Sequence, residues 1–550
     1  MVVQPNAIRG AESDRATLGQ LLRLHAADHP DRTFVSFPDR DCSYAEVYAR
    51  ALAFAKGLIA IGLKPGGHVA VLMPNCPTYL ELLFAVHLAG GVLVPVNARF
   101  QRRELSYVLA HSDVEIVVTT DLVDEYTDFT GLLTHSLTGL ANEPGGGVAT
   151  PVAPRLRRIY VDGTKSVPLA EPLEALVAAG RNLSDTDVAD VADASAHHVD
   201  ELALLLYTSG TTANPKGCEI THNALIRSWS AYGELVGLTE GQAMWTPCPL
   251  FHVSGIGVTV AALVSGATIM SMTHFEPEKA LAHIERKKAE HLFPAFPPLT
   301  MGLLGSAQYD AAKLDFVRTV LNVAPAETQR IIQRLLPPNA ILLTDFGMSE
   351  GAGMITATPL DATDEDRLDR NGTPLPGIEV RIAATDEPEQ LLPAGTPGEI
   401  QFRGTNAFRA YYKDDASTSA TILAGGWIRT GDLGTINERG SLRYLGRMKD
   451  MLKVGGENVT PLEIEAHLST HGAVRMAQVV GRPSKRYGEE PVAFIELAEG
   501  SQCTAEELIA YCVGELASYK VPREVRFVTS WPMSATKIQK FRLRELLYPE

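Results

Sequence analysis

Apolar and polar positions along the chain follow two periods in turn, one helical and one typical of buried strands. Apolar residues recur three and four positions apart over residues 18–29, 44–61 and 77–89, which predicts helices. Short continuous apolar runs, such as residues 68–73 and 202–206, indicate strands buried on both faces. Because strands that alternate with helices form βαβ units, we expect an α/β fold built on parallel sheets.

The pattern changes in the last third of the chain. Short strand-like runs at residues 379–382, 398–403, 434–437 and 441–444 predict a small β-barrel region within the large N-terminal domain. Helical patterns at 461–470 and 505–515, with strands between them, predict a small α+β domain. We place the boundary at Lys449, which gives domains over residues 1–448 and 449–550.

Three other segments have patterns that predict a strand, a loop and a buried uncharged stretch. Residues 340–345 indicate one further strand, and residues 141–154, rich in Gly, Pro and Ala, indicate a loop. Residues 254–273 carry no charge and are long enough to cross a bilayer. A Ser-Gly break at 265–266 divides that stretch, so we expect a buried helix and strand and no transmembrane segment.

Composition and charge narrow the class of protein. The 550 residues are 45% hydrophobic, which supports a large core in two or more domains. The net charge is −16 and no long basic run occurs, so nucleic-acid binding is not expected. The six cysteines form no Cys-x-x-Cys pair, and residues 1–15 lack the apolar core of a secretory signal. These features predict a cytoplasmic protein with reduced thiols.

The most informative stretch reads Tyr-Thr-Ser-Gly-Thr-Thr-Ala-Asn-Pro-Lys-Gly, at residues 207–217, directly after a predicted strand. Small residues let backbone N–H groups approach phosphate oxygens, and hydroxyls and a lysine add further donors. The candidate phosphate ligands are Thr208, Ser209, Gly210, Thr211, Thr212 and Lys216. The spacing is not that of the common P-loop, because Lys216 precedes Gly217 and no Ser or Thr follows the lysine. An ordinary surface loop is the alternative.

This stretch also resembles the signature loop of the adenylate-forming superfamily, which includes acyl-CoA synthetases, luciferases and peptide-synthetase adenylation domains. Ala213 stands where the second glycine of that loop usually lies. Four further patches resemble the other motifs of the superfamily and occur in the same order, so the resemblance extends from Ser43 to Lys540. It implies ATP, Mg²⁺ and coenzyme A as cofactors.

The patch Asp-Phe-Gly-Met-Ser-Glu, at 345–350, follows a predicted strand, where ligands of open parallel sheets bind. It resembles the aromatic-Gly-x-Thr-Glu pattern in which the aromatic ring stacks on adenine, so Phe346, Gly347 and Ser349 become nucleotide contacts. Mg²⁺ prefers oxygen ligands, often one carboxylate together with phosphate oxygens, which makes Glu350 the candidate metal ligand. A surface turn that carries one acid is the alternative.

The patch at 426–432 ends in Thr-Gly-Asp. By resemblance, Asp432 accepts both ribose hydroxyls, Arg447 touches the nucleotide and Lys449 is the hinge between the domains. Gly455 and Gly456 would lie along the channel for pantetheine. A polar turn between two strands is the alternative interpretation of Asp432.

Two further candidates come from the resemblance. His252 lies in Pro-Leu-Phe-His-Val-Ser-Gly, where the superfamily has an acyl-pocket wall, so it would flank the reacting carboxylate; a core histidine is the alternative. Lys537, in Lys-Ile-Gln-Lys, matches the adenylation lysine, with Thr536 in place of the usual preceding glycine. A basic C-terminal tail is the alternative for that patch.

The resemblance implies an acyl-CoA ligase that forms an acyl-adenylate and pyrophosphate, then acyl-CoA and AMP. The small domain would rotate between the two steps. The expected partner is a small-molecule apolar acid, either fatty or bulky and steroid-like, and family members are often dimers. Two alternatives remain open: an adenylation enzyme that loads a carrier protein, and a non-catalytic nucleotide-binding protein. No carrier domain follows Lys540, and intact Lys537, Glu350 and Asp432 argue against a non-catalytic protein.

Overall fold

The computed structural model describes residues 16–143, 147–195, 199–208, 214–455, 457–533 and 538–547. The first part of the chain alternates helices with strands, as the sequence predicts. Its elements are α1 (Leu18–Asp28), β1 (Thr33–Ser36), β2 (Asp41–Ser43), α2 (Tyr44–Ala60), β3 (His68–Leu72), α3 (Pro77–Leu88), β4 (Val92–Pro95), α4 (Arg102–His111), β5 (Ile116–Thr120), α5 (Phe129–Ser136), β6 (Ala141–Asn142), β7 (Val148–Ala149), β8 (Arg158–Asp162), β9 (Glu171–Pro172), α6 (Leu173–Ala179) and α7 (Asp185–Ser195).

The middle of the chain repeats the alternation. Its elements are β10 (Leu202–Thr208), β11 (Lys216–Thr221), α8 (His222–Val236), β12 (Ala243–Trp245), α9 (Val253–Ser265), β13 (Thr268–Met270), α10 (Pro277–Lys287), β14 (His291–Ala295), α11 (Pro297–Leu304), β15 (Thr319–Asn322), α12 (Ala326–Leu335) and β16 (Ile341–Leu343). The predicted α/β class is therefore confirmed.

These strands form two seven-stranded sheets, with orders β16-β15-β14-β12-β13-β1-β2 and β11-β10-β4-β3-β5-β8-β9. Every pair is parallel except the edge pairs β1–β2 and β10–β11. All five residues of β3 are buried, as expected for a parallel sheet that is covered on both faces. The strands appear in the sequence as continuous apolar runs because both of their faces are buried.

The helices cover the sheets in layers. One hydrophobic cluster contains side chains from both sheets together with those of α1, α2, α3, α8 and α9, so these helices lie between the sheets. Separate clusters with α4 and α5, and with α10 and α12, cover the outer faces. The uncharged stretch is confirmed as a buried helix, α9, followed by a strand, β13. Among the described residues, no helix is both long and apolar enough to span a bilayer.

A region rich in short strands follows. Its elements are β17 (Asp345–Phe346), β18 (Thr356–Ala357), α13 (Asp364–Asp369), β19 (Thr373–Pro374), β20 (Ile378–Ala383), β21 (Gly398–Gly404), α14 (Asp415–Thr421), β22 (Ile428–Ile436) and β23 (Leu442–Arg447). Strands β17 to β19 form a three-stranded antiparallel sheet, and β20 to β23 form a four-stranded antiparallel sheet.

Three expectations for these segments are wrong. The predicted β-barrel is an open sheet, because β20 and β23 do not pair with each other in the described part of the chain. The single strand expected at 340–345 is divided, since β16 ends at Leu343 and β17 belongs to another sheet. The loop expected at 141–154 contains the paired strands β6 and β7.

The C-terminal part forms a sheet of its own. Its elements are β24 (Leu452–Val454), β25 (Glu457–Val459), α15 (Pro461–Leu468), β26 (Val474–Ser484), β27 (Gly488–Leu497), α16 (Ala505–Cys512), β28 (Glu524–Phe527) and α17 (Lys540–Glu545). The order is β25-β24-β27-β26, with β28 added beside β27. A 3-10 turn, Met448–Asp450, joins β23 to β24. The domain boundary at Lys449 stays a prediction.

Candidate active site

The two ends of the predicted phosphate loop lie opposite each other. Thr208 and Lys216 are register partners at the ends of β10 and β11. At the start of the loop, the Tyr207 hydroxyl lies 2.8 Å from Nδ1 of His111. At its end, the backbone N–H of Tyr412 donates to the Gly217 carbonyl over 2.8 Å. Four of the predicted ligands lie outside the described residues: Ser209, Gly210, Thr211 and Thr212.

Lys216 contacts a segment that comes two hundred positions later in the chain. Its Nζ donates to Oγ of Ser417 over 2.6 Å. The same ammonium lies 4.9 Å from the centre of the Tyr411 ring, a cation–π contact. Hydrogen bonds from Ser417, with a further effect of the Lys216 charge, lower the pKa of Asp414. The segment 411–417 therefore holds the predicted phosphate-binding lysine at the loop's edge.

Glu350 is buried, with 9% of its surface exposed. The Tyr411 hydroxyl donates to its Oε1 over 2.6 Å. The Glu350 carbonyl accepts a hydrogen bond of 2.8 Å from the Phe408 N–H. Burial, and next the charge of Glu350, raise the pKa of Tyr411 well above its ordinary value, so the tyrosine remains a donor. Tyr411 thus contacts both Glu350 and Lys216.

The carboxylate of Glu350 fits the predicted role as a Mg²⁺ ligand. Within the described residues, no lysine, arginine or histidine forms an ion pair with it. In the same part of the chain, no group of three or more His, Cys, Asp or Glu side chains could hold a metal ion. Mg²⁺ is commonly bound by one or two carboxylates together with substrate phosphate oxygens, and this lone oxygen donor suits that mode.

Phe346 lies on β17 and is buried. Its ring is stacked with that of Tyr444 on β23, with centroids 5.8 Å apart and 28° between the planes. Burial raises the pKa of the Tyr444 hydroxyl, and the carboxylate of Asp432 adds to this effect. The next residue, Gly347, has no room for a side chain, because a Cβ there would lie 1.7 Å from the Gly353 carbonyl oxygen.

Asp432 is 3% exposed and lies within strand β22, not in a turn that follows a strand. Gly431 has a φ of 68°, and the register with β21 shifts nearby, which explains why Thr-Gly suggested a turn. Oδ1 of Asp432 lies 3.1 Å from Nε of Arg447, its register partner on β23. Burial by itself lowers the pKa of Arg447, but the charge of Asp432, together with those of Tyr444, Glu350 and Asp450, outweighs burial and raises it.

Ser349, Glu350 and Gly351 form a 3-10 turn directly after β17. The predicted metal ligand, Glu350, is therefore four residues from Phe346, the predicted adenine contact. Tyr444 stacks with that ring, and the charges of Asp432 and Arg447 act on its hydroxyl. The structure thus links Lys216 to Glu350 through Tyr411, and it places Phe346 against Tyr444 of β23, the strand that also carries Arg447.

The candidates around the predicted hinge are placed as follows. Lys449 lies in the 3-10 turn, where burial and then the charge of Arg447 lower its pKa. Gly455 lies in the turn between β24 and β25 with a φ of 64°, and its N–H donates to the Tyr487 carbonyl over 2.7 Å. Gly456 and Lys537 lie outside the described residues. Their predicted roles stay predictions.

His252 is the N-cap of α9, and its Nδ1 lies 2.9 Å from Oγ of Ser254. Trp229 of α8 packs against α9 further along that helix, at Gly257, and is 1% exposed. The indole N–H of Trp229 donates to the Ala352 carbonyl over 2.9 Å. A Cβ on Gly257 would lie 1.7 Å from the indole, and one on Gly353 would lie 2.7 Å from it. The two glycines therefore make room for the tryptophan.

Sequence reasoning did not find Tyr411, Ser417 or Tyr444. Tyr411 and Ser417 lie in the stretch Ala-Tyr-Tyr-Lys-Asp-Asp-Ala-Ser, which has no pattern that marks a binding loop. Tyr444 lies in an ordinary short strand, Leu442–Arg447, with no motif around it. Their contacts join residues far apart in the chain, so only the fold reveals them.

Comparisons with known proteins find matches along most of the chain. The family model described as "AMP-binding enzyme" matches residues 22–412, and that described as "AMP-binding enzyme C-terminal domain" matches residues 463–537. The medium-chain acyl-CoA ligase of Danio rerio is 30% identical over 545 residues, covering 96% of this chain and 88% of the relative.

A ligase from Rhodococcus jostii (strain RHA1), named for a methyl-dioxo-octahydroindenyl propanoyl group and CoA, is 30% identical over 536 residues. The alignment covers 96% of this chain and 98% of that ligase. Among solved structures, ATP-bound MatB from Rhodopseudomonas palustris matches with a TM-score of 0.80 and 26% identity, covering 96% of this chain and 98% of MatB.

Proposed function

This chain belongs to the AMP-binding enzyme family, and we propose that it is an ATP-dependent ligase that joins an apolar carboxylic acid to coenzyme A. The observation that carries the proposal is the arrangement of Lys216, Tyr411 and Glu350 at the edge of the phosphate loop. It combines a buried carboxylate suited to a metal with a cation suited to phosphate oxygens. A triphosphate that reacts with a carboxylate needs both.

The first half-reaction joins the acid to AMP. A carboxylate oxygen attacks the α-phosphorus of ATP, the bond between that phosphorus and the bridging oxygen breaks, and pyrophosphate leaves with the electron pair. Two anions must approach each other, so catalysis depends on positive charge placed where negative charge accumulates. In our proposal Lys216 and Lys537 supply it from the protein, and Glu350 would hold Mg²⁺, which would add further positive charge.

The remaining nucleotide contacts hold the reacting phosphorus in position. We assign Asp432 to the ribose hydroxyls, since a carboxylate can accept both, and Arg447 orients that carboxylate. Phe346 and Gly347 form the adenine side, where the close approach of Gly353 leaves no room for a side chain at position 347. His252, at the start of α9, faces the acid.

The second half-reaction transfers the acyl group. The thiolate of CoA attacks the acyl carbon, the C–S bond forms, and the bond to the AMP oxygen breaks, so AMP leaves with both electrons. The adenylate must be kept from water between the steps. We propose that the chain turns about Lys449 between the two steps, and that Gly455 and Gly456, which lack side chains, leave room for pantetheine.

The acid is proposed to be apolar and of limited length, because the pocket that would receive it would be closed at one end. Trp229 lies against Gly257 and Gly353, and its indole occupies the space between α9 and the 347–353 loop. Beside that loop, the acid would meet apolar surface, and its far end would stop at the indole. A medium-length fatty acid or a compact fused-ring acid satisfies both conditions. One relative is named as a medium-chain acyl-CoA ligase and another for an octahydroindenyl propanoyl group, and both names support acids of this size.

We further propose a cytoplasmic location and a dimer. All six cysteines lie within described residues and are free thiols, which suits a reducing compartment. Sedimentation equilibrium of the purified protein tests the dimer. A single species with the mass of one chain would refute it.

The proposed function is tested with a panel of acids and two acceptors. Acid-dependent exchange of labelled pyrophosphate into ATP should occur without CoA. Medium-length fatty acids and compact alicyclic acids should be the best substrates. AMP release should then require CoA. Exchange followed by transfer only to a carrier protein would favour the adenylation enzyme, and no exchange with any acid would refute the ligase.

A further inference from the structure

We propose that Tyr411 is a positioning residue that orients the Glu350 carboxylate toward the metal of the nucleotide site. The inference rests on the proposed function for the role of Glu350. Its basis is the chain of contacts Lys216–Tyr411–Glu350, which places one phenol between the predicted cation and the predicted metal ligand.

The hydrogen bond between Tyr411 and Glu350 is short, at 2.6 Å, and buried. It involves Oε1. Among the described residues, no other side chain hydrogen-bonds to the Glu350 carboxylate or pairs with it. A donor on one oxygen fixes rotation of the carboxylate, so the second oxygen points in a defined direction. Partners that orient a metal ligand in this way commonly change metal affinity about 10–100-fold.

The phenol is itself held in place from several sides. The N–H of Tyr411 donates to Oγ1 of Thr418 over 3.0 Å, and Thr418 in turn donates to the Asp414 carbonyl over 2.8 Å. Tyr411 also forms an antiparallel bridge with Cys218, next to the end of the phosphate loop. The Phe408 N–H holds the Glu350 backbone over 2.8 Å. One segment therefore fixes both the main chain and the side chain of Glu350.

The ring and the hydroxyl of Tyr411 have separate tasks. The ring lies under the ammonium of Lys216, while the hydroxyl reaches Glu350. Tyr411→Phe keeps the ring and removes only the hydrogen bond. The neighbouring Tyr412 offers a matched control, since its hydroxyl donates to Oδ2 of Asp113 over 2.9 Å, outside the proposed metal site.

The experiment measures nucleotide binding by calorimetry without acid or CoA, once with Mg²⁺ and once with EDTA. For Tyr411→Phe we expect about tenfold weaker binding of Mg-ATP, with metal-free ATP unchanged within about twofold. Tyr412→Phe should match the wild type in both titrations. In a Glu350→Gln background, Tyr411→Phe should cause no further loss. Equal Mg-ATP affinity in Tyr411→Phe and the wild type would overturn the inference.

A second variant covers the case in which Tyr411→Phe does not fold. Thr418→Val removes the anchor of the Tyr411 backbone without touching Glu350, and it should weaken Mg-ATP binding selectively, by a smaller factor. A purely structural role would instead lower both affinities together. If the wild type binds ATP equally well with and without Mg²⁺, the proposed function fails. If it prefers Mg-ATP and both variants keep that preference undiminished, only this inference fails.

Discussion

Asp432 and Arg447 face each other across two antiparallel strands, with 3.1 Å between Oδ1 and Nε. Arg447 is the last residue of β23, and the turn Met448–Asp450 that leads to the C-terminal sheet follows it directly. The proposed ribose ligand is therefore paired with the residue at which the chain leaves the larger part of the molecule. In our proposal, the ribose contact and the turn that leads to the C-terminal sheet therefore depend on the same ion pair.

Asp432→Asn should weaken ATP binding by about tenfold or more. The amide keeps the shape of the side chain but loses one acceptor for ribose and the charge that holds Arg447, and charged hydrogen bonds are roughly twice as strong as neutral ones. Calorimetric titration with Mg-ATP measures the change. Glu379→Gln, which breaks an exposed ion pair to Arg403 on the same sheet, is the control and should leave ATP affinity unchanged.

Lys537→Ala should separate the two half-reactions. Acid-dependent pyrophosphate exchange is expected to fall by about a thousandfold or more, because a charge that stabilises the transition state is lost. Thioester formation from preformed acyl-adenylate and CoA should stay near the wild-type rate. Lys313→Ala, at an exposed lysine in the turn Ala311–Leu314, should affect neither step. Equal loss of both half-reactions in Lys537→Ala would contradict the role.

Trp229→Phe should shift acid preference toward longer acids. The smaller ring leaves space beside Gly257 and Gly353, and two additional buried methylenes are worth about 1.6 kcal/mol, or roughly tenfold in kcat/KM. A series of straight-chain acids measures the optimum. Trp245→Phe is the matched control, because Trp245 is equally buried but belongs to the cluster on the outer face of its sheet. An unchanged optimum in Trp229→Phe would remove the tryptophan from the pocket.

Stability should fall as the solution becomes acidic. Burial lowers the pKa of four histidines from 6.5 to about 4: His25, His87, His283 and His291. Between those values the unfolded chain binds more protons than the folded one, so the free energy of unfolding decreases as pH falls. Each histidine contributes about 1.4 kcal/mol per pH unit in that window.

Urea unfolding at a series of pH values between 6.5 and 4 measures this slope. His87→Gln should reduce it, since glutamine does not titrate but can still donate to the Ala203 carbonyl. His135→Gln, at an exposed position, should leave the slope as it is. A slope that His87→Gln does not change would show that this histidine is not kept neutral by the fold.

The large parallel sheets could be predicted because their strands are buried on both faces. The apolar run at 202–206 has no other simple explanation, and it is confirmed as part of β10. The motif residues could also be identified from the sequence, since Glu350 and Asp432 each lie in a short pattern of small residues. These elements are local, so the sequence around each one carries the signal.

The rest depends on contacts between distant parts of the chain. Gly431 gives β22 a local irregularity, and its Thr-Gly pair therefore suggested a turn where a strand continues. Tyr411 reaches Glu350 across 61 positions of sequence, and no periodicity marks such a contact. The predicted barrel was wrong for the same reason, because strand closure depends on pairing between strands that are far apart in the chain.

The path of the carboxylate oxygens of the acid shows whether an acyl-adenylate forms. An acid labelled with heavy oxygen in its carboxyl group is incubated with the enzyme, Mg-ATP and CoA, and the AMP produced is analysed by mass spectrometry. If an acyl-adenylate forms, one labelled oxygen remains on AMP when CoA takes the acyl group. Unlabelled AMP, or label found in inorganic phosphate with ADP as the product, would contradict the account.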